Sequence, residues 1–194
     1  MSARRRIEGY AIVSTDGMIA DASGVMPEAL KNAADQRFLS AELDRAAALA
    51  HGRHSHEGHA SSPGRRRLIL TRRIAALEPD ADLPNAMLWN PAGASFDEAC
   101  AALGVPAGVV AVIGGPEVYR LFLEVGYDAF HLSRAGRVAL PGGLPLFAGR
   151  AERSPEETLA LFGLRPDAER VLDEAAAVTL TTWRKRSAGR RPLS

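Results

Sequence analysis

Thiol chemistry is nearly missing from this chain of 194 residues: Cys100 is its one cysteine. An internal disulfide is therefore excluded, and the usage fits a reducing cytoplasm. Long apolar runs are missing too. No stretch of eighteen apolar residues occurs, so no membrane-spanning helix is expected. The opening Ser2-Ala3-Arg4-Arg5-Arg6 leads into a strand-like segment, where a secretory signal would need an apolar core. Neither sign of charge dominates. Lys and Arg number 24 against 23 Asp and Glu, and the formal net charge of +1 gives no global pull toward nucleic acid. Basic residues cluster at 4–6, 65–67, 72–73 and 184–191. The terminal clusters read as solvated, and residues 1–6 and 185–194 as disordered tails. Repeats, low-complexity linkers and composition breaks are absent, so a single domain over residues 1–194 is expected. There is no Gly-x-Ser-x-Gly nucleophile elbow. His51, His54, His56 and His59 fall within nine residues. However, His56-Glu57-Gly58-His59 has one residue where a zinc-protease helix needs two, and nothing nearby completes a ligand set. No metal is expected.

What is present is a strand, a glycine pair and a helix in direct succession. Val109-Val110-Ala111-Val112-Ile113 is apolar and mostly β-branched, as a buried strand requires. Gly114-Gly115-Pro116 breaks it, and Val118, Leu121, Phe122 and Val125 then recur at helical spacing. Such a turn leaves backbone N–H groups free to meet an anion at a helix N-terminus, and glycine lets a phosphate approach the backbone. An ordinary tight turn has the same pattern, so the segment alone leaves both readings open.

Strands and helices alternate elsewhere. Residues 7–14, 67–71, 86–90, 128–133 and 178–183 read as strands. Residues 35–50 read as a helix with Leu39, Leu43, Ala46 and Ala50 on one face. Ser95 with Glu98, and Ser154 with Glu157 after Pro155, are capping boxes that open two more helices. Cys100 falls on the apolar side of the first of these, as a small core residue would. This alternation predicts an α/β fold with three layers, α/β/α, around a mostly parallel central sheet. Asp35 shares the apolar face of Leu39 and Leu43. A carboxylate there needs a reason, since desolvation is costly; a first-turn carboxylate favoured by the helix dipole is the plainer reading.

Four separated segments carry a resemblance. Ile12-Val13-Ser14-Thr15-Asp16-Gly17-Met18-Ile19-Ala20 is similar to the opening strand and loop of dihydrofolate reductases. Gly52-Arg53-His54-Ser55-His56-Glu57 resembles the Gly-Arg-x-Thr-x-Glu segment of that superfamily. Pro63-Gly64-Arg65-Arg66 through Leu70-Thr71-Arg72 resembles its proline-glycine turn, strand and Ser/Thr-Arg. Val112-Ile113-Gly114-Gly115 with Tyr119 is the most specific match. In order and approximate spacing, these cover residues 7–150. The chain thus resembles the dihydrofolate-reductase-like superfamily, which includes the reductase domain of riboflavin biosynthesis.

The resemblance implies an NADPH site. Gly52, Arg53, His54 and Ser55 would begin a helix facing the pyrophosphate, and Thr71-Arg72 would flank the 2′-phosphate, which suits a guanidinium fork. Ala11, Ile19, Ile113, Gly114, Gly115, Pro116, Glu117, Val118 and Tyr119 would complete the cofactor side, with the Gly-Gly bond cis as in the family. Asp35 would be the acid next to the substrate, with Glu28 as second candidate and with Leu39 and Ser133 as further substrate contacts. Met26-Pro27-Glu28 stands where folate reductases have Pro-Trp. Pro141-Gly142-Gly143-Leu144-Pro145-Leu146-Phe147 is similar to the Gly-x-Pro-x-Phe ending of the riboflavin-type enzymes. An NADPH-dependent reductase of a small pyrimidine or pterin is implied, riboflavin-type ahead of a true dihydrofolate reductase. A non-catalytic nucleotide- or pterin-binding protein of the same fold is the alternative of another class. Riboflavin-type relatives imply a homodimer, for which residues 154–183, with Leu159, Leu161 and Phe162, supply apolar surface; no nucleic-acid or membrane partner is expected.

Overall fold

Alternating burial along the central strands sets the layers. The computed structural model describes residues 4–53 and 64–185. Along β1 (Arg5–Val13), Ile7, Ala11 and Val13 face one side of the sheet and Tyr10 the other. The neighbouring strands β7 (Gly108–Val112) and β3 (Ala48–Gly52) follow suit. Val110, Val112, Ala48 and Ala50 join the first side, while Ala111 and Leu49 join the second. On the first side lie α2 (Phe96–Ala102), α3 (Pro116–Val125) and α4 (Pro155–Leu161), through Cys100, Phe122 and Leu159. On the second lies α1 (Ala33–Arg45), through Phe38, Leu39 and Leu43. Strands covered on both faces read as continuous apolar runs, which is why they were legible.

The remaining strands are β2 (Met18–Ala20), β4 (Arg67–Leu70), β5 (Leu77–Pro79), β6 (Ala86–Trp89), β8 (Ala129–Ala135), β9 (Leu144–Pro145), β10 (Leu164–Pro166), β11 (Arg170–Asp173) and β12 (Val178–Lys185). The sheet runs β10-β12-β8-β1-β7-β3-β4-β6-β5, with β11 also on β12. From β8 to β6 every pairing is parallel, and the flanking strands are antiparallel. This is the three-layer α/β arrangement expected, and it opens the C-terminal ends of β1, β3, β4 and β7 along one edge. Gly9 permits the tight centre: an added Cβ would stand 2.3 Å from the Phe130 ring.

Several expectations need correction. The helix expected over residues 35–50 starts earlier, where the Asn32 side chain accepts from the amides of Ala34 and Asp35. It ends at Arg45, because Ala46 is extended and residues 48–52 are a strand paired with β4 and β7. Burial between two neighbours overrides the helix propensity of those alanines. Arg4–Arg6 and Lys185 are not tail. Arg4 pairs with Asp128 and Arg5 with Asp97, Arg5 opens β1, and Lys185 closes β12. Both capping boxes form as read. In and beyond α4, Leu159 is buried, Phe162 lies under the Arg150 guanidinium at 5.0 Å, and Leu161 faces outward. Cys100 is fully buried, and burial pushes its thiol up to about 11, so it packs as an unreactive hydrophobe.

Among the described residues no helix is long and apolar enough to cross a membrane. Nor does any group of three or more His, Cys, Asp and Glu among them suit a metal ion.

Candidate active site

The turn after β7 is built by its neighbours. The Gly114–Gly115 peptide is cis, and Gly114 has φ +113°, a conformation side chains rarely adopt. The Gly52 amide donates to the Gly114 carbonyl at 2.9 Å, tying the end of β3 to the turn. Pro116 is the first residue of α3, and the amides of Val118 and Tyr119 donate to the Gly115 carbonyl at 2.9 and 3.0 Å. The Tyr119 hydroxyl crosses to the carbonyl of Tyr10. Gly115 itself differs from its neighbour. Its φ is −76°, and an added Cβ would meet nothing within 4 Å. A side chain there would enter open space, so strain is not what Gly115 avoids.

That space is a cavity of about 570 Å³. It is lined by the end of β3 and the turn into α3: Gly52, Arg53, Ile113, Gly114, Gly115, Pro116, Glu117, Val118 and Tyr119. Asp35, Phe38 and Leu39 of α1 line it as well, with Tyr10, His131 and Ser133. Ala11 and Ile12 of β1, Ile19, Ala20, Gly24, Met26 and Leu144 also line it. Ala20 pairs with Leu144 in the β2–β9 ribbon, and Arg134 ties the turn before it by donating to the carbonyls of Ser14 and Thr15 at 2.9 Å.

Asp35 is 8% exposed in the first turn of α1. Burial pushes its carboxyl above the usual carboxylate range, opposed only by a hydrogen bond from the Ser133 hydroxyl. Burial and then the charge of Asp35 raise the Tyr119 phenol. A buried carboxyl lining an apolar cavity suits a ligand edge that donates hydrogen bonds or a proton-transfer role.

Of the residues predicted from sequence, the cavity gathers Asp35, Leu39, Ser133, Ala11, Ile19, Gly52, Arg53 and 113–119. Glu28 is not among them. It is exposed in a one-turn 3-10 helix and paired with Lys31. Thr71 and Arg72 do not line the cavity but follow β4 at the same sheet edge, where Leu70 pairs with Gly52. Gly52 closes β3; the helix expected to begin there, with His54 and Ser55, falls within residues 54–63, outside the described residues.

Sequence reading missed Tyr10, Phe38 and His131. Tyr10 and His131 are register partners on β1 and β8, their rings stacked at 4.6 Å. The Tyr10 hydroxyl donates to Glu8 at 3.0 Å, and Glu8 lies 3.2 Å from Nε2 of His131, whose Nδ1 is 3.1 Å from the Thr182 hydroxyl. The hydrogen bond from His131 holds the Glu8 carboxyl below its ordinary value of 4.5, against the opposing effect of burial. A depressed carboxyl stabilises the fold above its unfolded value and loses that contribution as pH falls through the folded one. Glu8→Gln is thus expected to cost about 1.5–3 kcal/mol at pH 7, the worth of hydrogen bonds to a charged group. Urea titration should show that difference shrinking below pH 4.5.

No family model and no curated protein matches the chain by sequence. Solved structures do. A putative riboflavin biosynthesis protein from Shewanella sp. PV-4 is 21% identical at TM-score 0.64, covering 94% of this chain and 99% of its own. A Thermotoga maritima diaminohydroxyphosphoribosylaminopyrimidine deaminase/5-amino-6-(5-phosphoribosylamino)uracil reductase is 15% identical at TM-score 0.63, covering 94% of this chain and 57% of its own. Dihydrofolate reductase from Enterococcus faecalis, complexed with NADP(H) and RAB-propyl, is 15% identical at TM-score 0.62, with 94% and 97% covered. The chain has the dihydrofolate-reductase-like fold.

Proposed function

We propose that the chain is an NADPH-dependent reductase of a small pyrimidine- or pterin-type heterocycle, nearer the riboflavin-type reductases than the folate reductases. The observation that carries this is one cavity lined both by a backbone turn free of side chains and by a buried carboxyl. The space in front of Gly115, which a Cβ would enter, fits a cofactor pressed against the backbone. Gly114, Gly115 and Arg53 would hold it, with Thr71 and Arg72 reaching its far end. NADPH supplies the hydride when bound. The chain's own residues do the rest. Phe38, Leu39 and Tyr10 exclude water from the ring, and the Asp35 carboxylate accepts hydrogen bonds from its amino edge, oriented by Ser133. Hydride added to the carbon of a C=N bond leaves its electron pair on nitrogen, and the proton taken up there is held at or relayed past the Asp35 carboxyl. The reductases among the similar structures, one bound to NADP(H), support this reading.

Turnover is the test. NADPH oxidation with a ribosylamino-pyrimidine is expected, and faster than with dihydrofolate. NADPH binding without oxidation of either would favour a binding protein.

Cofactor choice gives a second expectation. Arg72 follows the buried Thr71 just past β4, and no Asp or Glu stands within residues 68–77 to take a ribose hydroxyl. A 2′-phosphate on a guanidinium is worth about 1.5–3 kcal/mol, about ten- to a hundredfold in affinity. NADPH should therefore bind that much more tightly than NADH, and Arg72→Ala should remove most of the preference. Added salt should weaken it. Equal dissociation constants at low salt contradict the assignment.

A further inference from the structure

The strand that carries Ser133 brings a second polar side chain to the cavity. Ser133 and His131 stand two apart on β8 and so share a face of the sheet. Ser133 meets Asp35, and the His131 ring lies 5.7 Å from that of Phe38, both partners belonging to α1. Tyr10, the register partner of His131 on β1, stacks on it at 10°, and Phe38 is tilted against Tyr10 at 6.3 Å. Tyr10, Phe38 and His131 all line the cavity. The polar side-chain atoms of Tyr10 and His131, however, are bonded to residues that do not. The Tyr10 hydroxyl and Nε2 of His131 meet the same oxygen of Glu8, and Nδ1 of His131 meets the Thr182 hydroxyl. Neither Glu8 nor Thr182 lines the cavity.

Glu8 and Thr182 line instead a second cavity, of about 440 Å³, which shares Phe38 and His131 with the first. Arg6 pairs with the other Glu8 oxygen at 3.5 Å, and the Arg170 guanidinium stands 5.4 Å over the Phe38 ring. Each of the three rings thus has a partner that lines the second cavity. Burying a carboxylate costs desolvation that apolar packing would avoid, so stability alone does not account for this array. What a fully satisfied buried network adds is a fixed geometry.

We propose that Glu8 and Thr182 are positioning residues for the substrate: acting through Tyr10 and His131, they fix the rings against which a flat heterocycle packs while its amino edge meets Asp35. Neither touches the heterocycle. This deepens the reductase reading and rests on it. Because Glu8 and Thr182 take up the polar atoms of Tyr10 and His131, these two side chains offer the heterocycle carbon alone, and Asp35 is left to read its donor edge. A displaced ring leaves a gap or a clash, and a misplacement of about 1 Å costs roughly 10²-fold.

Calorimetry on the full chain tests this with two ligands titrated separately: NADPH, and 2,4-diaminopyrimidine as a flat ring with an amino edge. Thr182→Val removes the Nδ1 partner, outside the first cavity, with almost no change of shape. It should loosen the pyrimidine about tenfold and leave the NADPH dissociation constant within about twofold of the parent's. Thr182→Ser restores the hydroxyl and should return the pyrimidine to parent affinity. Glu8→Gln should loosen it as well, but its lower stability makes Thr182→Val the deciding variant. Thr179→Val, a like change on β12 at a residue that lines neither cavity, should leave both affinities as in the parent. In turnover of the ribosylamino-pyrimidine, Thr182→Val should raise KM more than it lowers kcat. Unchanged pyrimidine binding in Thr182→Val, even with a lower melting temperature, makes the array merely structural and overturns the inference. Failure of the parent to bind the pyrimidine overturns it too. Failure of the parent to bind NADPH overturns the reductase reading instead, while the pyrimidine titrations still decide this one.

Discussion

Asp35→Asn is expected to lower turnover by about 10²–10⁴-fold, the usual worth of a positioned acid or base, with NADPH binding kept. Asparagine fills the same volume and can still accept from Ser133. It loses the charge that draws the ring's amino edge and the site that takes up a proton. The residues proposed to hold NADPH are Gly114, Gly115 and Arg53, not Asp35, so the dissociation constant should stay near the parent's. A second readout separates chemistry from folding. Burial raises the Asp35 carboxyl, so its favourable contribution is fully present below the unfolded value of 3.8 and is lost as pH rises through the folded value. At neutral pH the carboxylate therefore weighs against the fold. Asp35→Asn should melt higher than the parent at pH 7, and the gap should close below pH 3.8. Unchanged turnover would remove Asp35 from the mechanism and bring forward Glu28 or a bound water.

Gly115→Ala should weaken NADPH binding by more than about a hundredfold, roughly 2.7 kcal/mol, while the fold barely responds. The methyl would meet no protein atom within 4 Å, and φ of −76° suits alanine. What it enters is the space in front of the turn. Gly114→Ala is the contrasting variant. There φ is +113°, and a Cβ would press on the Tyr119 ring at 3.1 Å, so melting temperature should fall. A Gly115→Ala protein that binds NADPH like the parent would remove the turn from the cofactor site.

How much of this was legible in the sequence follows from how local each feature is. The strand-turn-helix at residues 109–125 and both capping boxes are set by neighbours a few positions apart, and they form as read. Asp35 was legible because a carboxylate on an apolar stripe is out of place. The border between α1 and β3 was not, because Ala46 to Ala50 favour a helix locally and only burial between β4 and β7 makes a strand of them. The short strands β2, β5, β9, β10 and β11 are too brief to show alternation. The Tyr10–Glu8–His131–Thr182 array joins three strands whose residues lie 51 and 123 positions apart, so spacing along the chain carried no sign of it. Ala20 and Leu144, both lining the cavity, meet only through the β2–β9 ribbon.

The central claim is that NADPH lies against the Gly114-Gly115 turn and faces Asp35. Titrating isotope-labelled protein with NADPH, and following backbone amides by NMR, tests it most directly. The largest shifts should fall on Gly52, Gly114, Gly115 and Val118, saturating together, with smaller ones at Asp35 and Leu39. Saturable shifts confined to other parts of the surface, or none at millimolar NADPH, would contradict it.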